Sequence, residues 1–329
     1  MKYVALERDA GYFQRLITKQ QMEDICCKAF GSGSIPLSWE LLTSGKFNTC
    51  YRIEIDGMDP VILRLAPSPQ VIVFSHEKYL LRRESSIQNI IQTASRIIPR
   101  NIFIDFSRDL IDRDYVFQPC FTGELWADIS AEFSDEDNGR LWAQLALIVK
   151  RIHSIPGKLF GPPDPVQQYQ SWSEAVISWV SGMVDDMQNL QLPCDDAREF
   201  LSLVSGGSEF LDEITQPCLV HGDLWQKNIL VDRHNGKLEI TALLDAERAF
   251  WGDPAAEWIF TFLDIPDSFW RGYGAMENSE GAEFRRRVYE GRGAVQLCLE
   301  AWRFRVDDAF ARNILREAKA GLREHKLSR

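Results

Sequence analysis

The chain has 329 residues, 45% of them hydrophobic, which is enough to bury a sizeable core in two lobes or domains. A net charge of −11 argues against a nucleic-acid partner, and no apolar run approaches the ~18 residues needed to cross a bilayer, so no membrane partner is expected either. Seven cysteines without a C-x-x-C spacing indicate neither a disulfide framework nor a zinc site. The early charges of "MKYVALERDAGYF" leave no apolar secretion segment, and a cytoplasmic setting is expected.

The charge is unevenly placed. Residues 1–118 carry 15 basic and 14 acidic side chains, whereas residues 119–329 carry 22 and 34. The acid concentrates in residues 119–270, with 25 acidic against 9 basic side chains. Such a field either reflects ordinary surface composition or draws a cationic ligand.

In chain order, residues 20–30 read as a short helix, with Met22, Ile25, Cys26 and Ala29 at helical spacing. From residue 39 the pattern becomes strand, turn, strand. Tyr51, Ile53 and Ile55 alternate, and the "DGMDP" turn leads into "VILRLAP". A helix is expected over 76–92, and strands over 101–106 and 114–119. After Pro119 helices dominate. One is expected over 135–154 with Ser134 as its cap and Leu141, Leu145, Ile148 and Ile152 on its apolar face; others over 171–189 and 195–213; and a helical tail over 282–326. Strands return only at 218–232 and 238–245. The order predicts an α+β chain: a small antiparallel lobe with one helix over 1–118, then a larger, mainly helical lobe over 119–329.

The stretch "LVHGDLWQKNILVD" interrupts an apolar run with a short polar break that holds Asp223 and Asn228. Seventeen positions after Asn228, the strand-like Ala242, Leu243 and Leu244 deliver Asp245. If the two strand-like pieces pair, Asp223, Asn228 and Asp245 surround one pocket, with Glu247 two residues on. Oxygen ligands without a His/Cys set suit Mg²⁺ rather than Zn²⁺. Magnesium held by few protein ligands takes the rest from water and substrate phosphates, the pattern of phosphoryl transfer. A lone D-x-x-x-x-N is common; its combination with H-G-D, flanking apolar pieces and a strand-terminal Asp is not.

"HGDLWQKNILVD" followed by "LLDAERAFWGDP" resembles the aminoglycoside phosphotransferase and choline kinase superfamily, the small-molecule branch of the protein-kinase-like fold. The resemblance runs over about residues 38–265. It implies a bilobal kinase-like fold and transfer of phosphate from ATP (or GTP), with Mg²⁺. It places Asp223 as catalytic base, Asn228 and Asp245 as metal ligands, and His221 as a brace of the catalytic loop. Glu247 falls where some members hold an extra acid near the metal, and Asp253 of "GDP" fixes local backbone. "TSGKFNTCYRIEI" resembles the loop over the nucleotide phosphates, which gives Ser44, Gly45, Asn48 and Thr49 nucleotide-binding positions. Arg64 stands where protein kinases carry their phosphate-binding Lys, with Glu84 as its helical partner and Glu77 as the competitor. "YVFQPCFTGE" resembles the inter-lobe segment, so backbone groups of Gln118, Pro119 and Cys120 edge the adenine. Beyond the "GDP" turn, Glu257, Asp264 and Asp267 are candidates to hold acceptor amines, and Trp258, Phe262, Trp270 and Tyr273 to stack on a ring or cation. Taken singly, each of these aromatics reads equally as helix core. The acceptor implied is a small, amine-bearing, antibiotic-like alcohol; an amino-sugar or amino-alcohol metabolite kinase and a non-catalytic nucleotide-binding pseudokinase are the alternatives.

Overall fold

The computed structural model describes residues 14–43 and 45–327. Helix α1 (Lys19–Phe30) opens on a capping box, in which Thr18 accepts from the Gln21 amide and the Gln21 side chain accepts from the Thr18 amide. Its Met22, Ile25 and Cys26 pack on a five-stranded antiparallel sheet. The strands are β1 (Pro36–Leu42), β2 (Thr49–Ile55), β3 (Val61–Leu65), β4 (Phe103–Asp105) and β5 (Tyr115–Pro119), in spatial order β1-β2-β3-β5-β4. The period of two decides which face each side chain takes. Tyr51, Ile53, Val61, Leu63, Leu65 and Phe117 share one core with α1. Arg64 points the other way, opposite Cys50 on one neighbour and Val116 on the other.

That second face receives α2 (Leu80–Ile91), whose Ile87 and Ile91 join a core shared with the helical part of the chain. The helix begins later than the sequence pattern implied. Ser75–Glu77 forms a separate 3₁₀ turn, and Tyr79 takes a left-handed φ of 61° before α2 starts.

The second part contains β6 (Glu124–Leu125), α3 (Trp126–Ile129), α4 (Asp135–His153), α5 (Trp172–Asn189), α6 (Asp195–Gly206) and α7 (Ser208–Leu211). Then come β7 (Cys218–Val220), β8 (Ile229–His234), β9 (Lys237–Leu243) and β10 (Phe250–Gly252). The chain closes with α8 (Trp258–Phe262), α9 (Asp267–Tyr273), α10 (Glu280–Phe304) and α11 (Ala309–Leu327). As expected, Ser134 caps α4 by accepting from the Asp137 amide; three acids fill the first turn and Lys150, Arg151 and His153 the last, complementing the helix dipole. One core gathers α4, β7–β9, α8 and α9; another gathers α5, α6, α10 and α11.

Two further boundaries differ from the sequence expectation. The helix predicted over 195–213 breaks at Gly206–Gly207, the residues least suited to a helix interior. The helical tail is two helices: Arg305 leaves α10 in a left-handed φ of 54°, and the Val306 amide turns back to Ala301. The expected hairpin of residues up to 232 with 238–245 forms after the polar break, and the short strand before the break pairs elsewhere. β7 pairs with β10, whereas β8 pairs with β9, with Ile229 opposite Leu243. The architecture is α+β and bilobal: an antiparallel sheet with its helix, then a larger helical part.

Candidate active site

Two sheets that share no strand suspend the polar break between β7 and β8. Gly222 turns the chain at φ +80°, where a Cβ would lie 2.4 Å from the Arg248 carbonyl, so only glycine fits. Residues 226–228 then form one 3₁₀ turn that folds Asn228 back. The Asn228 Nδ2 donates to the Asp223 carboxylate at 2.9 Å and to its carbonyl at 2.8 Å, which fixes the amide and leaves Asn228 Oδ1 available as a ligand atom. The Leu244 amide donates to the Asn228 carbonyl at 2.8 Å, and this contact brings Asp245 to the loop. Asp245 sits at φ 61°, a strained conformation for a residue with a Cβ, and it starts the 3₁₀ turn over Ala246–Arg248. Burial pushes the Asp223 carboxyl up to about 7 against the pull of Arg248.

The loop is braced from below by one buried carboxylate. Glu257 accepts from the amides of His221 (2.8 Å), Gly222 (2.9 Å) and Trp258 (3.0 Å), and His153 Nε2 lies 3.4 Å away. Tyr273 closes the chain at His153 Nδ1, 2.7 Å away. Burial alone would raise the Glu257 pKa, but His153 and the backbone donors hold it below the usual carboxylate range. Glu257 is therefore spent on the backbone, which corrects the expectation that it holds an acceptor amine. His221 is fully buried, in keeping with a bracing position. Asp253 fixes local backbone as expected, accepting from the Ala255 amide and the Tyr289 hydroxyl.

Across the cleft, Arg64 meets three acids at once: Glu84 at 2.7 Å, Asp245 at 2.6 Å and Glu247 at 2.8 Å. Glu84 is thus its helical partner, whereas Glu77 pairs with Arg303 at 2.5 and 2.6 Å. Arg64, Glu84 and Glu247 are buried, but the Asp245 side chain is 40% exposed and open toward the cleft. Burial, with Asp245 and Glu84 nearby, pushes the Glu247 pKa up. Asn48 donates to Glu247 at 2.6 Å. Glu247, two residues from Asp245, is thus held by Asn48 and Arg64 from the first part of the chain. Asn228 Oδ1 and the exposed carboxylate of Asp245 are hard oxygen donors on segments joined by the Leu244–Asn228 bond, and their chemistry fits Mg²⁺.

The loop after β1 only partly follows the expected pattern. Ser44 lies outside the described residues. Gly45 is exposed, and its carbonyl accepts from Gln14. Asn48 turns its amide to Glu247. Thr49 is buried, with its hydroxyl on the Arg15 carbonyl at 3.3 Å, so it anchors the loop rather than facing phosphate oxygens. In the inter-lobe segment the Gln118 side chain turns inward to Asn101. The Cys120 amide donates to the Pro60 carbonyl at 3.2 Å.

The acceptor-side candidates scatter. Asp267 and Trp270 line an open hollow with Arg271, Gly274 and Met276, which shares no residue with the cavity under Gly222. Asp264 is exposed between α8 and α9. Trp270 stacks on Phe260 and donates to the Ile265 carbonyl. Trp258 and Phe262 are half-buried and pack on each other and against Gly293 of α10, and Tyr273 serves the brace. The proposed amine site of Glu257, Asp264, Asp267 and Trp270 is not assembled.

The model of the phosphotransferase enzyme family matches residues 38–290. The chain belongs to this family. No curated protein matches this phosphotransferase by sequence. Among solved structures, the GDP complex of an aminoglycoside 2'-phosphotransferase-IIIa is similar at 20% identity and a TM-score of 0.62, covering 92% of this chain and 99% of that one. A thermostable aminoglycoside phosphotransferase APH(4)-Ia with AMP-PNP and hygromycin B gives 18% identity and a TM-score of 0.64, covering 92% and 98%. At such identities the likeness shows the fold, and with the family it makes this chain a small-molecule kinase.

The phosphotransferase also has site residues that the sequence reading passed over. Arg83, Arg248 and Arg292 line the cavity under Gly222. Their signals were slight: a double Arg before Glu84, an Arg after the strand-terminal acids, and an Arg between two glycines, Gly291 and Gly293, that α10 buries.

Proposed function

We propose that this chain is a Mg²⁺-dependent O-phosphotransferase that moves the γ-phosphate of ATP (or GTP) to a hydroxyl of a small molecule. The observation that carries this reading is the Asn228–Asp223 pair on a rigid loop, with Asp245 and Arg64 facing it across one cleft. Asp223 orients the acceptor hydroxyl and takes its proton as the acceptor oxygen bonds to the γ-phosphorus and the bond to the β–γ bridging oxygen breaks. Arg64, held by Glu84, presents its guanidinium to phosphate oxygens. Asn228 and Asp245 would hold the metal, which when bound neutralises phosphate charge. Nucleotide complexes among the structural neighbours support the donor.

The acidic second part and the antibiotic-bound neighbours support an amine-bearing acceptor. The arginines under Gly222 favour a different one, taken up below. Nucleotide consumption with Mg²⁺, against panels of antibiotics, amino alcohols and hydroxy acids, tests the activity. Asp223→Ala should lower kcat by roughly 10²–10⁴-fold while the Mg·AMP-PNP affinity stays within a few-fold. Near-normal turnover in that variant would remove Asp223 as the base.

A further inference from the structure

A cavity of about 210 Å³ opens beneath the catalytic loop, between α2, α5 and α10. Gly222, the residue before Asp223, forms part of its wall, as do Phe250 and Trp179. Its charged lining is cationic: Arg83 from α2, Arg248 beside the strand-terminal acids, and Arg292 from α10. Arg248 has Glu300 at 3.3 Å and Glu77 at 4.0 Å. Arg83 and Arg292 make no ion pair among the described residues. Arg83 donates only to the carbonyls of His76 and Ala249, and Arg292 lies 5.4 Å over the Trp179 ring and 5.9 Å from that of Phe250.

Unpaired buried cations are costly, and a chain keeps them where something else brings the counter-charge. Several buried polar atoms without a partner line this cavity: Ser75 Oγ, both ring nitrogens of His76, Arg83 Nε and Arg292 Nε. His76, Glu77 and Glu300 approach one another closely enough to hold a metal ion, but Arg303 and Arg248 already occupy those carboxylates, so the unmet demand is for an anion. Burial, with the charge of Arg248 nearby, draws Arg83 down to about 9 and Arg292 to about 10, more than Glu247 and Glu257 offset.

We infer that the acceptor alcohol enters this cavity with an anionic group, a carboxylate or a phosphate, held by Arg83, Arg292 and Arg248, so that its hydroxyl reaches Asp223. The inference rests on the kinase reading and names the substrate class of the same site. Guanidinium forks match both oxyanions bidentately, and the Trp179 and Phe250 faces close the cavity around a small carbon skeleton. A volume of 210 Å³ falls below the roughly 300–1,000 Å³ of drug-sized sites. It suits a compact hydroxy acid or phosphorylated alcohol, and a multi-ring aminoglycoside does not fit.

The test is thermal unfolding with the nucleotide site saturated by Mg·AMP-PNP, so that added anions cannot report on the nucleotide phosphates. Inorganic phosphate, glycerate, glycerol and ethanolamine are added in turn at matched ionic strength. Phosphate, glycerate or both should raise Tm by about 2 °C or more at saturation, and glycerol and ethanolamine should not. A response to phosphate alone assigns phosphorylated alcohols, and one to glycerate alone assigns hydroxycarboxylates. R292Q should weaken the anion response at least about tenfold with Mg·AMP-PNP affinity within twofold, and R292K should recover part of it. R292Q and R292K keep the test decisive if R83Q fails to fold. No anion response, an equal response to glycerol or ethanolamine, or a response that survives R292Q overturns the assignment. A chain that binds Mg·AMP-PNP but ignores both anions sinks the pocket alone; one that answers to the anions but not to Mg·AMP-PNP sinks the kinase reading alone.

Discussion

Arg64 contacts Glu84, Asp245 and Glu247 through one guanidinium whose side chain is 5% exposed. Removing it strands two fully buried carboxylates, so Arg64→Ala should do more than weaken nucleotide binding. A stability loss of about 3–5 kcal/mol is expected, read as a lower urea midpoint with unchanged slope, together with a raised KM for nucleotide. Loss of nucleotide affinity with an unchanged urea midpoint would mean the three acids need no counter-charge in the folded state. Asp245→Asn separates the two effects. It keeps a ligand oxygen but drops the charge, so nucleotide affinity in Mg²⁺ should fall at least about tenfold, about 1.4 kcal/mol, with little change without metal. An equal loss in both conditions would take Asp245 away from the metal.

At the scale of elements, the two parts of the chain are clamped by a second ion pair. Glu77, in the turn before α2, takes both amino groups of Arg303 at the end of α10. Burial would raise the Glu77 pKa, but Arg303 and the neighbouring cations hold it below the ordinary range. A depressed folded-state pKa gives stability that is present above the unfolded value, about 4.3, and lost as pH falls through the folded value. Glu77→Gln should therefore be less stable at pH 7 and show a shallower loss below about pH 4.3; chemical denaturation at pH 7, 5 and 3.5 measures both.

The same elements show what the sequence could disclose. Asp223, Asn228 and Asp245 were legible because one short loop and one strand end bring them together. The facing of Arg64 followed from the strand period, and Ser134 announced the start of α4. Glu257 was not legible, because a carboxylate thirty-odd positions downstream meets the His221 and Gly222 amides only once β7 and β10 have paired. Nor was the arginine cavity, whose walls come from α2, α5 and α10, elements that no local pattern relates. The hairpin of β8 and β9 was legible as well; the partner of β7 was not, because a three-residue apolar run does not say which strand it meets.

For the whole molecule, the count of acids in residues 119–270 pointed to a cationic ligand, whereas the cavity beside the catalytic loop is lined by cations. Net charge describes the surface field and steering; recognition depends on the few charges left without partners inside. No helix among the described residues is long and apolar enough to cross a membrane. Contacts between the two parts meet at the cleft, where Asn48 and Arg64 of the first reach Glu247 and Asp245 of the second. Nucleotide and metal together should thus stabilise the fold as a unit. At a hundred times Kd, Mg·AMP-PNP should add about 2.7 kcal/mol, seen as a single unfolding transition at higher Tm. Two separated transitions, only one of them shifted, would show that the parts unfold independently.

Arg64 also determines what the cleft is like. Glu84, Asp245 and Glu247 would repel one another and open the gap between sheet and helices if no positive charge stood among them. The protein supplies its own resident counter-ion, so the cleft keeps its shape before any visitor arrives. On the proposed reading, a cation entering at Asp245 would make a trade of partners, the guanidinium leaving that acid as an incoming phosphate gives it somewhere else to go.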